Sequence, residues 1–350
     1  MKILIFGAGA AHIPLIKASY NKKNFNIVLH NKKNNLAKKI SDIFFKTSIY
    51  DKREAVKVFK YLKKNKIKVD DIICRSTGPS ILAAAEACKI FKINRVSKDL
   101  AKCVYSKFFF TKKLKKNNIP YLQTKKVKEI TNKIYKDKWV LKPDAPLIGK
   151  KHIYLIENSK IQKDKFQIVK KVSHNSEVCI TKYMPGYDVN IIFFIEKKSK
   201  KINLLNILNE WNFFKNEEIN HKNSNSVIGT SSPEIFIRLK EKKLLLKHSY
   251  KILKMFPKYY GFLNIAFRIN QNNATPYEIN INIDTIYAKK IFPYFYKKYS
   301  SYDLEIQNLM SKKIRFIKIK ENGFFGYFKK KNFYNKKTFI NKLRNLNIKN

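Results

Sequence analysis

The sequence predicts two kinds of domain in succession: an α/β unit with a doubly wound parallel sheet over residues 1–97, then an α+β unit over residues 98–310. Three observations carry this. Strand and helix patterns alternate through the first segment, which favours parallel pairing because crossover helices cover the sheet. From Lys138 onward, strand patterns dominate instead. With 350 residues, 44% of them apolar and 14% aromatic, the chain can fill more than one core.

Lys2–Phe6 reads as a buried strand, followed by a glycine turn and a helix near His12–Tyr20. Phe25–His30 is a second strand, Arg53–Asn65 a helix, Asp70–Cys74 a strand and Pro79–Phe91 an Ala-rich helix. In the next segment Phe108–Asn117 is helical and stops at Asn117-Asn118-Ile119-Pro120, since Pro120 cannot continue a helix and holds Ile119 extended. Strands are expected at Trp139–Lys142, His152–Ile156, Val178–Tyr183, Val189–Glu196 and Ile202–Leu208. A helix at Glu241–Phe256 precedes strands at Phe262–Ile269 and Tyr277–Asn282. The Asn-rich stretch Lys215–Ser226 is expected to be a loop. Residues 311–350 read as a basic extension with a short β pattern at Lys312–Lys320, a Gly323/Gly326 turn and a helix near Lys336–Leu346.

The formal net charge of +50 raises the question of a nucleic-acid partner. Of the 75 basic residues only seven are Arg, and the other enriched types are Asn, Ile, Phe and Tyr. That is the composition A/T-rich codons produce, whereas a dedicated nucleic-acid surface draws on the planar fork of Arg. Neither a specific nucleic-acid partner nor a membrane is expected, because no apolar run approaches the roughly 18 residues a span requires. Cys74, Cys88, Cys103 and Cys179 show no metal or disulfide spacing and read as free thiols of a reducing cytoplasm.

Gly7-Ala8-Gly9-Ala10-Ala11-His12 invites a dinucleotide reading. His12 stands where the third glycine of the fingerprint belongs, and the second strand ends in His30-Asn31-Lys32-Lys33 without the acidic residue that would bind a ribose. An NAD(P)-dependent oxidoreductase is therefore the weaker alternative.

Stronger chemistry lies downstream. Glu278 and Asn280 sit at i and i+2 of one predicted strand, so both oxygens point to one face. A carboxylate beside an amide carbonyl is a hard-oxygen site suited to Mg²⁺, which usually also binds phosphates. Lys107 follows Tyr105-Ser106, and Lys142 ends the apolar strand Trp139-Val140-Leu141 before Pro143. Taken in order, these pieces, the Gly149-Lys150-Lys151 loop, Thr181-Lys182-Tyr183-Met184-Pro185-Gly186-Tyr187-Asp188 and Gly261–Phe267 resemble the ATP-grasp superfamily of carboxylate–amine ligases over about residues 1–310. Ser41-Asp42 and Ser76-Thr77-Gly78-Pro79-Ser80 extend the likeness to that family's pre-ATP-grasp domain.

The resemblance implies a pre-ATP-grasp domain at 1–97, then a two-lobed ATP-grasp domain with a small lobe near 110–185 and a large lobe near 186–310. It implies that Lys107 and Lys142 hold ATP phosphates, that Gly149 and Lys150 belong to a phosphate-covering loop, and that Thr181, Lys182, Tyr183 and Met184 hold adenine. Asp188 would contact ribose, and Glu278 with Asn280 would hold Mg²⁺. Around the metal pair two positions depart from the pattern: Ala266 replaces a second metal ligand, and Asn282 replaces an arginine. Asp284 or Glu210 is expected to supply the missing oxygen, and Arg268 the missing cation in catalysis. His152 stands where a further loop glycine is common. The implied activity is ATP-dependent joining of a small-molecule carboxylate to an amine (or a thiol) through an acyl phosphate, with ATP and Mg²⁺ required. A homo-oligomer is compatible with it. A nucleotide-binding relative without ligase activity is the alternative.

Overall fold

The computed structural model describes residues 1–76, 78–130, 134–146, 152–157, 159–212, 227–232, 234, 237–297, 299–318, 323–328 and 331–344. The N-terminal sheet is parallel, in the order Ile43–Lys46, Phe25–His30, Lys2–Phe6, Asp71–Cys74. The strand Lys2–Phe6 is apolar from Ile3 onward because it is covered on both faces, and Ile3 to Phe6 are fully buried. The edge strand Ile43–Lys46 and the short helix Asn35–Lys39 escape the sequence reading, being too brief and too polar to give a period.

Local chemistry sets the next helices. Asp51 caps Lys52–Lys64 by accepting from Arg53 N at 2.7 Å. Ser97 caps Lys98–Tyr105, and Ser106, itself extended, ends that helix and caps Lys107–Lys116 through Phe109 N at 3.0 Å. The chain thus turns at Ser106 and places Lys107 on a first helical turn.

The small lobe is an antiparallel sheet in the order Thr124–Val127, Val178–Lys182, Trp139–Pro143, Tyr154–Ile156, packed against the helix Lys163–Val172. The large lobe is a seven-stranded sheet in the order Asn273–Asn280, Gly261–Asn270, Tyr187–Ile195, Ile202–Asn212, Val227–Ser232, Phe325–Phe328, Lys331–Phe333. Residues from the basic C-terminal segment are therefore part of this sheet. Gly326, expected in a turn, lies in a strand opposite Ser231 and Phe333. A Cβ there would come within 2.5 Å of the Phe339 ring, so glycine serves close packing and not a turn. The expected loop at 215–226 lies outside the described residues.

Among the described residues, two hydrophobic cores result. One runs without interruption from the N-terminal sheet (Ile5, Ile73) into the large lobe (Phe193, Phe262, Ile279). The other belongs to the small lobe alone and includes Trp139, Leu141, Phe166 and Ile180. Buried polar groups reinforce the first union. Asp71 of the N-terminal sheet accepts from Tyr260 Oη at 2.7 Å and pairs with Lys197 Nζ at 2.8 Å. Arg95 pairs with Glu305 at 2.9 Å and donates to the Ile72 carbonyl. Asp71, Arg95 and Glu305 are out of water, which is tolerable only because each has a partner across the domain boundary.

Candidate functional site

A cleft of about 310 Å³ opens where the lobes meet the N-terminal domain, and its lining includes Lys107, Lys142, Glu278, Asn280, Asn190 and Asn264. Four of the residues singled out in the sequence, from a helix and two strands far apart in the chain, thus converge. Glu210 and Asp284 line the same cleft, as do Ala266 and Asn282.

The cleft's electrostatics are those of a split site. Lys142, 8% exposed, stands at the end of its strand, and its ammonium has a pKa pushed down to about 8, first by burial and then by the nearby charge of Lys107. Two ammonium groups held together at that cost define a place for an anion. Lys107 Nζ also lies 3.7 Å from Glu278 Oε1. Asn280 Nδ2 donates to the same Oε1 at 3.3 Å.

Asp144, which sequence reasoning missed as a site residue, fixes both lysines. Its fully buried carboxylate accepts from Ser106 Oγ at 2.8 Å, Phe108 N at 2.8 Å and Asn175 Nδ2 at 2.8 Å, while its carbonyl accepts from Lys107 N at 3.2 Å. It lies two residues after Lys142, so one carboxylate ties the strand carrying one lysine to the helix carrying the other. The only sequence signal was an Asp directly after Lys-Pro.

Thr181 and Lys182 end the small-lobe strand Val178–Lys182, and the linker 183–186 leads from there to the large lobe. Thr181 is buried and shares a hydrogen bond of 3.1 Å with Thr124 Oγ1, while Lys182 Nζ pairs with Asp137 at 3.2 Å on the surface. Tyr183 N donates to Lys138 O at 2.9 Å. Arg268 is not among the residues lining the cleft. Its Nε donates to the Met184 carbonyl at 2.9 Å, its Nη1 to Asp188 at 3.1 Å, and its guanidinium lies over the Tyr183 ring at 5.9 Å. Gly186, at φ +120°, presses on the same strand: a Cβ would meet Ile269 O at 1.9 Å. The linker is thus held against the strand Gly261–Asn270 at both Met184 and Gly186.

Gly149 and Lys150 lie outside the described residues. His152, just beyond them, has φ +54°, the left-handed conformation that glycine adopts without cost. At the N-terminal turn, His12 packs against Gly7 so tightly that a Cβ on Gly7 would lie 2.6 Å from His12 Nε2, and that nitrogen shares a 3.0 Å hydrogen bond with Ser76 Oγ. The chain's own imidazole covers the glycine on which the dinucleotide reading rested. Asn282 Nδ2 is tied to the Arg75 carbonyl at 3.0 Å. Among the described residues no three His, Cys, Asp or Glu converge as a metal cluster, no helix is long and apolar enough to cross a membrane, and the four cysteines are free and buried.

No family model matches the sequence, and no curated protein matches it. Solved structures do match in three dimensions. N5-carboxyaminoimidazole synthetase from Staphylococcus aureus, solved with ADP, is 15% identical with a TM-score of 0.69, covering 93% of this chain and 81% of its own. L-amino acid ligase from Bacillus licheniformis is 11% identical with a TM-score of 0.67, covering 93% and 79%. The biotin carboxylase domain of Hydrogenobacter thermophilus 2-oxoglutarate carboxylase, solved with MgADP and bicarbonate, is 12% identical with a TM-score of 0.65, covering 93% and 73%. These are ATP-grasp enzymes, and the chain has their fold.

Proposed function

We propose that this ATP-grasp fold binds Mg·ATP in the cleft and joins a small-molecule carboxylate to an amine or similar nucleophile. The observation that carries the proposal is the convergence of Lys107, Lys142, Glu278 and Asn280 on one cleft. A pair of ammonium groups facing a hard-oxygen pair suits a polyphosphate and its divalent cation. The residues fit such a cation: Glu278 offers a carboxylate and Asn280 an amide on one face of a strand. When bound, Mg²⁺ neutralises phosphate charge and orients the γ-phosphoryl group.

The chain's own residues do the rest. Lys107 and Lys142 take phosphate oxygens, with Asp144 fixing the backbone of both. The Thr181–Met184 backbone receives the base, Asp188 the ribose, and Arg268 steadies that linker. Transfer of the γ-phosphoryl group to the substrate carboxylate would give ADP and an acyl phosphate. Attack by the nucleophile would then form the new C–N bond and release inorganic phosphate. Positioning and charge neutralisation suffice for this chemistry, and no protein nucleophile is required.

Ala266 and Asn282, where a ligand and an arginine are common, favour a second reading: nucleotide binding without ligation. Measuring ADP formation from Mg·ATP across amino acids, hydroxy acids and sugar acids, with and without added amines, separates the two. Substrate-dependent ADP release supports ligation. Tight ATP binding with no ADP release across the panel would leave only the nucleotide-binding reading.

A further inference from the structure

Ala266 leaves a gap in the metal side of the cleft, and the sheet shows what surrounds it. Ala266 pairs with Glu278 on one side and with Asn190 on the other, so Glu278, Ala266 and Asn190 form one row across three strands. Asn264 and Asn280 face each other in the next row of the same face. Neighbouring strands lie about 4.8 Å apart, so the outer two members of the first row stand roughly 10 Å apart over a methyl group. A Glu and an Asn side chain reaching toward each other across that distance leave a gap on the order of two metal–oxygen bonds of about 2.1 Å.

Asn190 and Asn264 are otherwise unexplained. Asn190 is 5% exposed and lines the cleft, and its side-chain amide makes no hydrogen bond with the described residues. Asn264 lines it too, and its buried Oδ1 has no partner among them. A buried oxygen without a partner is costly and uncommon, and the Asn264 oxygen beside an unbonded Asn190 amide, both lining the cleft around Ala266, points to a shared ligand. An anion is the poorer fit, because Glu278 would repel it and the lysines already serve that purpose.

We infer that Asn190, carried on the adjacent strand, replaces the ligand missing at Ala266: a divalent cation sits over the Ala266 methyl between Glu278 and Asn190, with Asn264 and Asn280 completing the oxygen set. This rests on the nucleotide-binding reading above. Glu278 is the one carboxylate in this set and is already paired with Lys107. The cation is therefore held mainly together with nucleotide phosphates and weakly without them.

The test is a Mn²⁺ titration followed by electron paramagnetic resonance, on the full chain saturated with ADP. Asn190→Ala is expected to weaken Mn²⁺ binding about tenfold, and Asn190→Asp to strengthen it. ADP affinity measured in EDTA should stay within twofold of the wild type in Asn190→Ala. Asn264→Ala gives an independent reading should the first variant fold poorly, with an expected loss of several-fold. If both alanine variants keep wild-type Mn²⁺ affinity while Glu278→Gln loses it, the inference is wrong and the metal reading of Glu278 stands. If Glu278→Gln also keeps it, or ADP does not bind the wild type, both readings fall.

Discussion

Lys107 and Glu278 face each other at 3.7 Å, so the cation proposed for phosphate and the carboxylate proposed for metal neutralise one another in the cleft. On the proposed function, Mg·nucleotide would part them, giving each a new partner of opposite sign. The two halves of the site are therefore coupled before any ligand arrives.

That coupling predicts a crossover for Glu278→Gln. Without metal, ADP should bind the variant more tightly, by roughly fivefold, because Lys107 no longer has a competing carboxylate. With Mg²⁺ present the order should reverse, and turnover should fall strongly with folding nearly intact. Calorimetric ADP titrations in EDTA and in Mg²⁺ check both arms. Equal affinities of variant and wild type in both buffers would remove Glu278 from the site.

Lys142→Met is expected to weaken nucleotide binding tenfold to a hundredfold, the value of a charge-assisted contact. It should also change the pH dependence of stability. Lys142 in the native state releases its proton near pH 8, against an ordinary 10.5. The cost of keeping it charged is fully present below pH 8 and is relieved as pH rises to 10.5. That cost is on the order of 3 kcal/mol. Urea unfolding of the wild type should therefore show a gain between pH 8 and 10.5 that the methionine variant lacks. Nucleotide binding near pH 8 should take up a proton, seen as a heat that depends on the buffer, and this too should vanish in the variant.

Arg268→Ala frees the Met184 carbonyl and Asp188 together. ADP affinity should drop about tenfold, whereas inorganic tripolyphosphate, which has no base or ribose, should bind as before. A parallel loss for both ligands would mean that Arg268 acts on the phosphates.

Gly186→Ala drives a methyl into the Ile269 carbonyl at a positive φ. The expected penalty is about 3 kcal/mol or more in chemical denaturation. Gly326→Ala should be milder, since the Phe339 ring can tilt.

The cleft was readable from sequence because its principal groups sit in local patterns: a lysine after a helix-capping serine, a lysine closing an apolar strand, and a carboxylate and amide two apart on one strand. Asn190 and Asn264 gave no such sign. In an Asn-rich chain neither residue type nor spacing marks them, and only strand register sets them around Ala266. Arg268 was expected to supply a catalytic cation, but its contact with the linker depends on how a distant strand crosses Met184. The fold shows the same division. Long periodic segments such as Phe25–His30 were legible, whereas Val227–Ser232 and Phe325–Phe328 were not. Those two exist as strands because they pair with each other across nearly a hundred residues of chain.

The separate core of the small lobe has a consequence for how the molecule comes apart. Trp139, Leu141, Phe166 and Ile180 pack among themselves and belong to no larger cluster, so their melting need not disturb the continuous core beneath. Backbone amides of Val178–Lys182 should exchange with deuterium through a lower-energy opening than those of Tyr187–Ile195, a few residues further along the same chain. Heating should then pass through a form whose N-terminal domain and large lobe are intact but which has lost Lys142, and with it half of the anion site.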